Sequence, residues 1–540
     1  MASRQSGGLL GADHRSATGS DTGDTADSVD PAEAGAATRR GPRMTTGERV
    51  VYSLLTVTGL SFWFFLGFPY ANHNESFAIV AQLREMGFAD ALTQIAYPVA
   101  NYRPLGQAVA WLGYRSSGTI TSVQVFNYVV AVAAWLLLLA SVRERRAFAV
   151  TALLVGGVFF TGYIYLFHLH GVFYSPLLLL VAAMFWADRD LTRGRLLVVA
   201  AGALVAAFFH PYALVVLIAA LAGMALERRG SHAGPRAMMT GVTGAATALL
   251  VVLVVSERRT DPRTLGEMFD GLLVSYRMVE VNPLISVIAL GLAVVTALTV
   301  PLGNRLRFGL TAAAVLAGAV CHLAGLPMLL VWIAVCLVKA AVMKKWWIAL
   351  VLVCAAAFPA PTATGSPTYT VFALMVCCAV LPYGCGRFEE RIGNRKPVAA
   401  VVVVTAASVL LVVLRFGVDV PVISRLSAPL VAEQQKTFQM EEIVRWLVAS
   451  GYDDYDLRFV GQRDNPTDSA NAVDRVHRPP TNEGDLARYV QALRGPGAPQ
   501  PMPGRHLMVG FGSDVMPAGT RVLVLPSGTA GDAVVVLPDR

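Results

Sequence analysis

The chain has 540 residues, 55% of them hydrophobic and 15% charged, with a formal net charge of +8 and a mean hydropathy of +0.55. So much apolar surface, gathered into repeated runs of about 20 residues, excludes an ordinary soluble fold and indicates a polytopic helical membrane protein. The positive charge does not indicate a nucleic-acid partner, because Arg and Lys sit in short clusters between apolar runs, as topology determinants do. All six cysteines, Cys321, Cys336, Cys354, Cys377, Cys378 and Cys385, fall in or beside apolar segments, so the polar regions have no disulfide framework.

Residues 1–48 are rich in Gly, Ala, Ser, Thr and Asp and have almost no apolar periodicity, which predicts a disordered tail. Arg39, Arg40, Arg43 and Arg49 precede the first apolar run, at 50–70, and place that tail in the cytoplasm. Residues 71–121 then form a long polar insertion, read as the first external loop. Two stretches of it, 77–92 and 104–112, have apolar residues at helical spacing and are expected to lie along the membrane surface. Spans follow near 122–142, 147–167 and 171–187, with Arg143, Arg145 and Arg146, and then Arg189, Arg193 and Arg195, inside. His168 and His170 fall outside.

The run 196–226 decides the topology. As one helix its 31 residues would extend about 46 Å, against a hydrocarbon core of about 30 Å. His210 and Pro211 sit at its middle, and proline removes a backbone donor and clashes with the preceding turn. Two short spans joined outside at His210, Pro211 and Tyr212 put Arg228, Arg229 and Arg236 in the cytoplasm. The same choice makes Arg305 and Arg307, Lys344 and Lys345, and the cluster at Arg387, Arg391, Arg395 and Lys396 cytoplasmic, as the positive-inside rule requires. Further spans are expected near 237–256, 284–302, 308–324, 326–342, 346–361, 367–385 and 397–415, about 13 in total by the 20-residue criterion. A second external loop, 257–283, carries Arg258, Arg259, Arg263 and Arg277 against the charge rule. After the last span, 417–540 changes composition: a helix-like stretch at 432–450 precedes short apolar runs at 457–460, 506–511, 521–525 and 533–537, separated by Pro/Gly-rich turns. The expected fold is therefore an all-α polytopic membrane body, 49–416, with a small C-terminal extracytoplasmic α/β domain, 417–540.

The chemistry-bearing residues concentrate in the first external loop. Asn72, His73, Asn74, Glu75 and Ser76 follow the first span closely, and the segment Asn101-Tyr-Arg-Pro-Leu-Gly-Gln107 follows in the same loop. A carboxylate held among polar groups at a membrane surface can take a proton from an attacking hydroxyl; Glu75 is equally read as a solvated loop residue. Arg103 offers a planar set of donors suited to phosphate. His73, His168, His170 and His210 all fall at the external boundary by this topology. With Glu75 they offer a donor set for a divalent metal, though His-x-His has no diagnostic spacing, and hydrogen bonding to substrate or helix ends is the more frequent use. Tyr102, Trp111, Tyr114, Tyr163, Tyr165, Phe173 and Tyr174 gather at the same boundary and read first as an aromatic belt, second as a sugar-stacking surface.

A carboxylate just past the first span, followed by Asn101-Tyr-Arg-Pro-Leu-Gly-Gln107, resembles the first-loop pattern of polytopic membrane glycosyltransferases of the GT-C fold. It is most similar to the protein O-mannosyltransferase-like families. Asn-Glu-Ser stands where those families usually have an Asp-Glu or Asp-Asp pair, and Gln107 where a basic residue is common. The resemblance implies a sugar donor carried on a polyprenyl phosphate, inversion at the sugar carbon, and Glu75 as the base. It implies phosphate or substrate contacts from Arg103, with His73, Asn101, Tyr102, His168, His170, His210, Arg258, Arg259 and Arg277 as further candidates. The external arginines are equally read as partners of Glu257, Asp261, Glu267 and Glu280. The acceptor would be an envelope polysaccharide, lipid or protein, and the location the cell membrane, with the N-terminus cytoplasmic and the C-terminal domain outside. No Walker loop, dinucleotide fingerprint or nucleophile elbow occurs in a credible context. The competing classes are a transporter or flippase of lipid-linked envelope precursors, and a non-enzymatic scaffold.

Overall fold

The computed structural model describes residues 44–67, 87–93, 103–117, 121–142, 150, 157, 169–189, 192–227, 241–249, 264–280, 283–360 and 367–383, and four strands between 456 and 537. The helices that build the body are α1 (Thr46–Gly67), α2 (Phe88–Thr93), α3 (Pro104–Ser117), α4 (Thr121–Ser141), α5 (Ser175–Arg189), α6 (Arg193–Ala207) and α7 (Tyr212–Glu227). They continue with α8 (Leu265–Val279), α9 (Pro283–Leu298), α10 (Asn304–Leu323), α11 (Leu329–Val342), α12 (Trp346–Ala357) and α13 (Val371–Val380). Short 3₁₀ turns, Leu169–Phe173 and Pro367–Thr370, precede α5 and α13.

The helix boundaries have local causes. Proline at the first position of α3 costs no hydrogen bond and presets φ. Thr264 caps α8 through a reciprocal box in which Glu267 N–H donates to Thr264 Oγ1 at 3.2 Å and Thr264 N–H to Glu267 Oε2 at 2.8 Å. Gly325, at φ +64°, ends α10, and Leu326 N–H closes the cap on Cys321 O at 2.8 Å. Helices α11 and α12 are preceded at the N-cap by Met328 and Lys345, which provide no side-chain cap. Carboxylates from other helices cap them instead. Glu280 accepts from Met328 N–H at 2.9 Å and from Leu329 N–H; Glu227 accepts from Trp347 N–H at 3.0 Å. Each puts negative charge at a helix N-terminus, where the orphan donors and the dipole favour it.

The break expected at His210 and Pro211 is present, and α6 and α7 fold back as a hairpin. Arg195, at the start of α6, donates to Trp186 O near the end of α5 at 3.1 Å. Glu227, at the end of α7, approaches Lys345 at 3.9 Å, and Lys345 also bridges Asp188 at the end of α5 at 3.0 Å. At the other end of α7, Tyr212 donates to Cys354 O near the end of α12. Thus α5, α6 and α7 alternate in direction, and α12 runs antiparallel to α7. One end of this bundle gathers Asp188, Glu227 and Lys345; the opposite end gathers the start of α3, the turns before α5 and α13, and the 208–211 turn.

The packing between these helices depends on small residues. A Cβ on Gly223 of α7 would stand 2.1 Å from Trp347 Cα, so the two backbones touch there; close approach through small residues is how helices associate in lipid. Trp347 itself is fully buried, with Phe185 edge-on to it at 4.9 Å. Trp332 is equally buried and donates its indole N–H to Thr296 Oγ1 at 3.1 Å. Among the described residues, Ser122–Ser141, Gly171–Arg189 and Asn304–Leu323 are long and apolar enough to cross a membrane, and five shorter apolar helices accompany them. The ten residues of α13 rise only about 15 Å, half a hydrocarbon core of about 30 Å. The spans expected at 147–167 and 397–415 lie outside the described residues apart from Val150 and Gly157.

The strands β1 (Asp456–Phe459), β2 (His506–Phe511), β3 (Arg521–Leu525) and β4 (Ala533–Leu537) form one sheet in the order β1-β2-β4-β3. β1 pairs parallel with β2, Leu457 opposite Leu507. The other pairs are antiparallel, with Val509 and Leu523 flanking Val535. All four coincide with the apolar runs expected to be strands. The helix expected at 432–450 lies outside the described residues.

Candidate functional site

Arg103 immediately precedes α3 and is only 1% exposed. Its Nη2 lies 3.0 Å from His210 Nε2, and its guanidinium sits over Phe173 and Tyr174 at 5.0 and 5.6 Å from the ring centres. Such ring faces favour a cation. The backbone fixes this meeting of distant segments: Leu105 N–H donates to Phe208 O at 3.2 Å, joining the start of α3 to the 208–211 turn. Gly106 completes the fit. A Cβ there would lie 2.4 Å from Phe173 Cδ1, so only glycine lets the ring pass beneath the arginine. Arg103, Leu105 and Gly106 of the first-loop segment thus each have a distinct task in one small volume.

The charge balance of this volume is what makes it a candidate site. Arginine remains protonated in proteins and offers five N–H donors; a buried charge without a partner costs several kcal/mol. Arg103 Nε and Nη1 meet no hydrogen-bond partner among the described residues. His210 does not relieve the excess. Its Nδ1 faces the Tyr212 backbone N–H at 3.2 Å while Nε2 faces the guanidinium, and a neutral imidazole has one accepting nitrogen. Among the described residues, Arg103 Nε and Nη1 are thus left as buried charged donors, and an anionic oxygen ligand is the chemistry that fits.

Aromatic rings enclose the cluster. His210 meets Phe358 edge-on at 5.1 Å and Tyr174 at 5.4 Å; Phe358 stacks on Tyr212 at 3.8 Å and tilts against Tyr369 at 4.7 Å. Phe173, Tyr174 and Tyr114 are buried, which corrects their reading as a lipid-facing belt. Aromatic residues at the end of an apolar run look alike in sequence whether they meet headgroups or, as Phe173 and Tyr174 do, a cation inside the bundle. Gln107 is also buried, so a basic residue in its place would add a second cation to the interior.

Of the other residues singled out from sequence, His170 lies in the 3₁₀ turn that leads to Phe173. Arg277, on α8, is exposed and donates from Nε to Gly325 O at 3.0 Å, while Glu280, one of the acidic partners expected for the external arginines, serves the start of α11. Helix α8 nevertheless reaches this end of the bundle, since Tyr276 donates to Ala356 O at 3.2 Å. Glu75, His73, Asn101, Tyr102, His168, Arg258 and Arg259 lie outside the described residues. No group of three or more metal-ligating side chains occurs among the described residues.

Three features escaped the sequence reading. Phe358, at the end of α12, and Tyr369, in the 3₁₀ turn before α13, join the cluster, with only their position at the ends of apolar runs as a signal. Lys339 is wholly buried in α11, where its ammonium donates to Thr299 Oγ1 at 2.8 Å and Leu381 O at 3.0 Å; a lysine inside an apolar run was the available sign. The Lys345 and Asp188 pair spans 157 positions, which no local pattern records. Comparison with protein-family models, curated proteins and solved structures finds no match to this chain.

Proposed function

We propose that the chain is an integral membrane glycosyltransferase of GT-C type that moves a sugar from a polyprenyl-phosphate donor to an extracytoplasmic acceptor. The observation that carries this reading is Arg103: a buried guanidinium with two nitrogens that meet no partner among the described residues, walled by aromatic rings, supplied by the same loop segment that resembles the mannosyltransferase-like families. In this reading Glu75 takes the proton of an acceptor hydroxyl, whose oxygen attacks the anomeric carbon from the face opposite the phosphate. The bond from that carbon to the phosphate oxygen breaks, the sugar inverts, and polyprenyl phosphate leaves with its negative charge held by Arg103. The Arg103 end of the bundle is external, the Asp188, Glu227 and Lys345 end cytoplasmic, and about 13 spans follow from the roughly 20-residue criterion. The sheet belongs to an external α/β domain that contributes to acceptor binding, and His73, His170 and the loop arginines are further candidates for substrate contact.

Lys339 supports the transporter reading, because a charge buried in an apolar helix is a frequent mark of a translocation path. Its two hydrogen bonds give it a packing role instead. The deciding experiment is transfer by the purified protein in nanodiscs, from radiolabelled polyprenyl-phosphate sugars to a cell-envelope acceptor extract, with Glu75→Gln as the control. Glycosyl transfer lost in the variant while donor binding persists is the expected result; no transfer from any donor, with lipid movement across the bilayer that needs Lys339, would give the transporter the case.

A further inference from the structure

Among the described residues, the Tyr369 hydroxyl of the aromatic cluster accepts a hydrogen bond but has no acceptor for its own proton. Tyr174 is fully buried and its O–H donates to Tyr369 Oη at 2.9 Å. That bond occupies a lone pair of Tyr369 and leaves the Tyr369 proton to donate elsewhere; among the described residues it meets no acceptor. The ring that carries it is held in place, edge-on to Tyr174 at 5.1 Å and against Phe358 at 4.7 Å. Tyr369 is also partly exposed, unlike its buried neighbour Thr370. Tyr174 thus acts as a spacer, with its ring face toward the Arg103 cation and its hydroxyl on Tyr369. A phosphate ester seated at Arg103 has the Tyr369 donor one phenol ring away, and the group esterified to that phosphate is the part of the ligand that can reach it.

We propose that Tyr369 is a specificity-determining residue that donates a hydrogen bond to a hydroxyl oxygen of the sugar on the lipid-linked donor. This rests on the glycosyltransferase reading of Arg103. A site built to bond a substrate hydroxyl discriminates more sharply than an apolar pocket, since a ligand lacking the group leaves a polar atom unpaired. Tyr369→Phe keeps the ring contacts and removes the hydroxyl, which is both the donor assigned to the sugar and the acceptor of the Tyr174 bond. Phenylalanine at 174 removes the same internal bond but leaves the Tyr369 hydroxyl.

The test measures binding to the full-length protein in nanodiscs, using undecaprenyl phosphate and a set of undecaprenyl phosphates bearing mannose, glucose, galactose or arabinose. Wild type is expected to prefer one of the glycosylated lipids over the bare phosphate. Tyr369→Phe should bind bare undecaprenyl phosphate as wild type does and lose about tenfold on the preferred glycosylated lipid, the size of one neutral hydrogen bond. Tyr174→Phe should keep most of the preference. Equal losses on bare and glycosylated lipids, equal effects of the two variants, or a wild type indifferent to the sugar would each overturn the role of Tyr369 while leaving Arg103 as a phosphate site. Failure of wild type to bind undecaprenyl phosphate at all would remove the glycosyltransferase reading, and this inference with it.

Discussion

Replacing Gly106 by alanine tests whether the Arg103 cluster is assembled as described, because two physical effects oppose each other there. In a helix, alanine is preferred to glycine by up to about 1 kcal/mol, so helix propensity alone predicts a more stable protein. The structure predicts the reverse. The new Cβ would lie 2.4 and 2.6 Å from Phe173 Cδ1 and Cε1, and Phe173 is itself buried beneath the Arg103 guanidinium. Inserting a methyl group into a filled core costs about 1–3 kcal/mol, which leaves a net loss of up to about 2 kcal/mol after the propensity gain. Gly309 of α10, with no atom within 4 Å of its Cβ position, is the control at which the same change should stabilise. Thermal unfolding in nanodiscs, followed by tryptophan fluorescence, should show Gly106→Ala melting below wild type and Gly309→Ala at or above it. Adding Phe173→Leu should recover much of the loss, since the smaller side chain removes the collision. Equal midpoints for the two alanine variants, or no recovery in the double variant, would refute the close approach of α3 to Phe173.

Gly223→Ala should be the more damaging glycine change, because the atom it meets at 2.1 Å is the Trp347 backbone, which cannot rotate away as a ring can; a smaller fall in midpoint than for Gly106→Ala would contradict the contact between α7 and α12. Glu280 gives a pH dependence of defined sign. Burial holds its carboxyl above the ordinary value of 4.5, against the opposing hydrogen bonds from Leu329, Met328 and Ser286. An acid whose folded pKa is raised favours the folded state when protonated, so this contribution is complete below the unfolded value and is lost as pH rises through the folded one. Wild type should gain stability relative to Glu280→Gln as pH is lowered from neutral toward 4.5, and parallel pH profiles for the two proteins would show that Glu280 is not the titrating group.

Local chemistry decided how much of this protein was legible in its sequence. Pro211 in an overlong apolar run announced the α6/α7 hairpin, since proline's missing N–H cannot be disguised by context. The short apolar runs near 507, 523 and 535, separated by Pro/Gly-rich turns, announced strands, although their order in the sheet could not be read from them. Arg103 and His210 were both placed at one membrane boundary by counting spans, and they meet. What could not be read is what depends on distant partners. Phe173 and Tyr174 turned inward to a cation 70 positions away. Glu280 and Glu227 cap helices that begin at Leu329 and Trp346, a service that sequence assigns to neighbouring Ser, Thr or Asp. The capping box at Thr264 and Glu267, by contrast, follows the Thr-x-x-Glu signature and was there to be found.

The most direct measurement of the central claim is the affinity of the full-length protein for undecaprenyl phosphate, with undecaprenol as the uncharged comparison, in wild type and Arg103→Lys. Lysine keeps the charge but replaces the planar guanidinium by a compact ammonium that cannot span His210 and two phosphate oxygens at once. The account predicts that undecaprenyl phosphate affinity falls about 10- to 100-fold, the loss of charge-assisted hydrogen bonds worth about 1.5–3 kcal/mol, while undecaprenol binding is unchanged. Equal affinity of the two proteins for undecaprenyl phosphate would contradict it, because the buried guanidinium would then hold no phosphate.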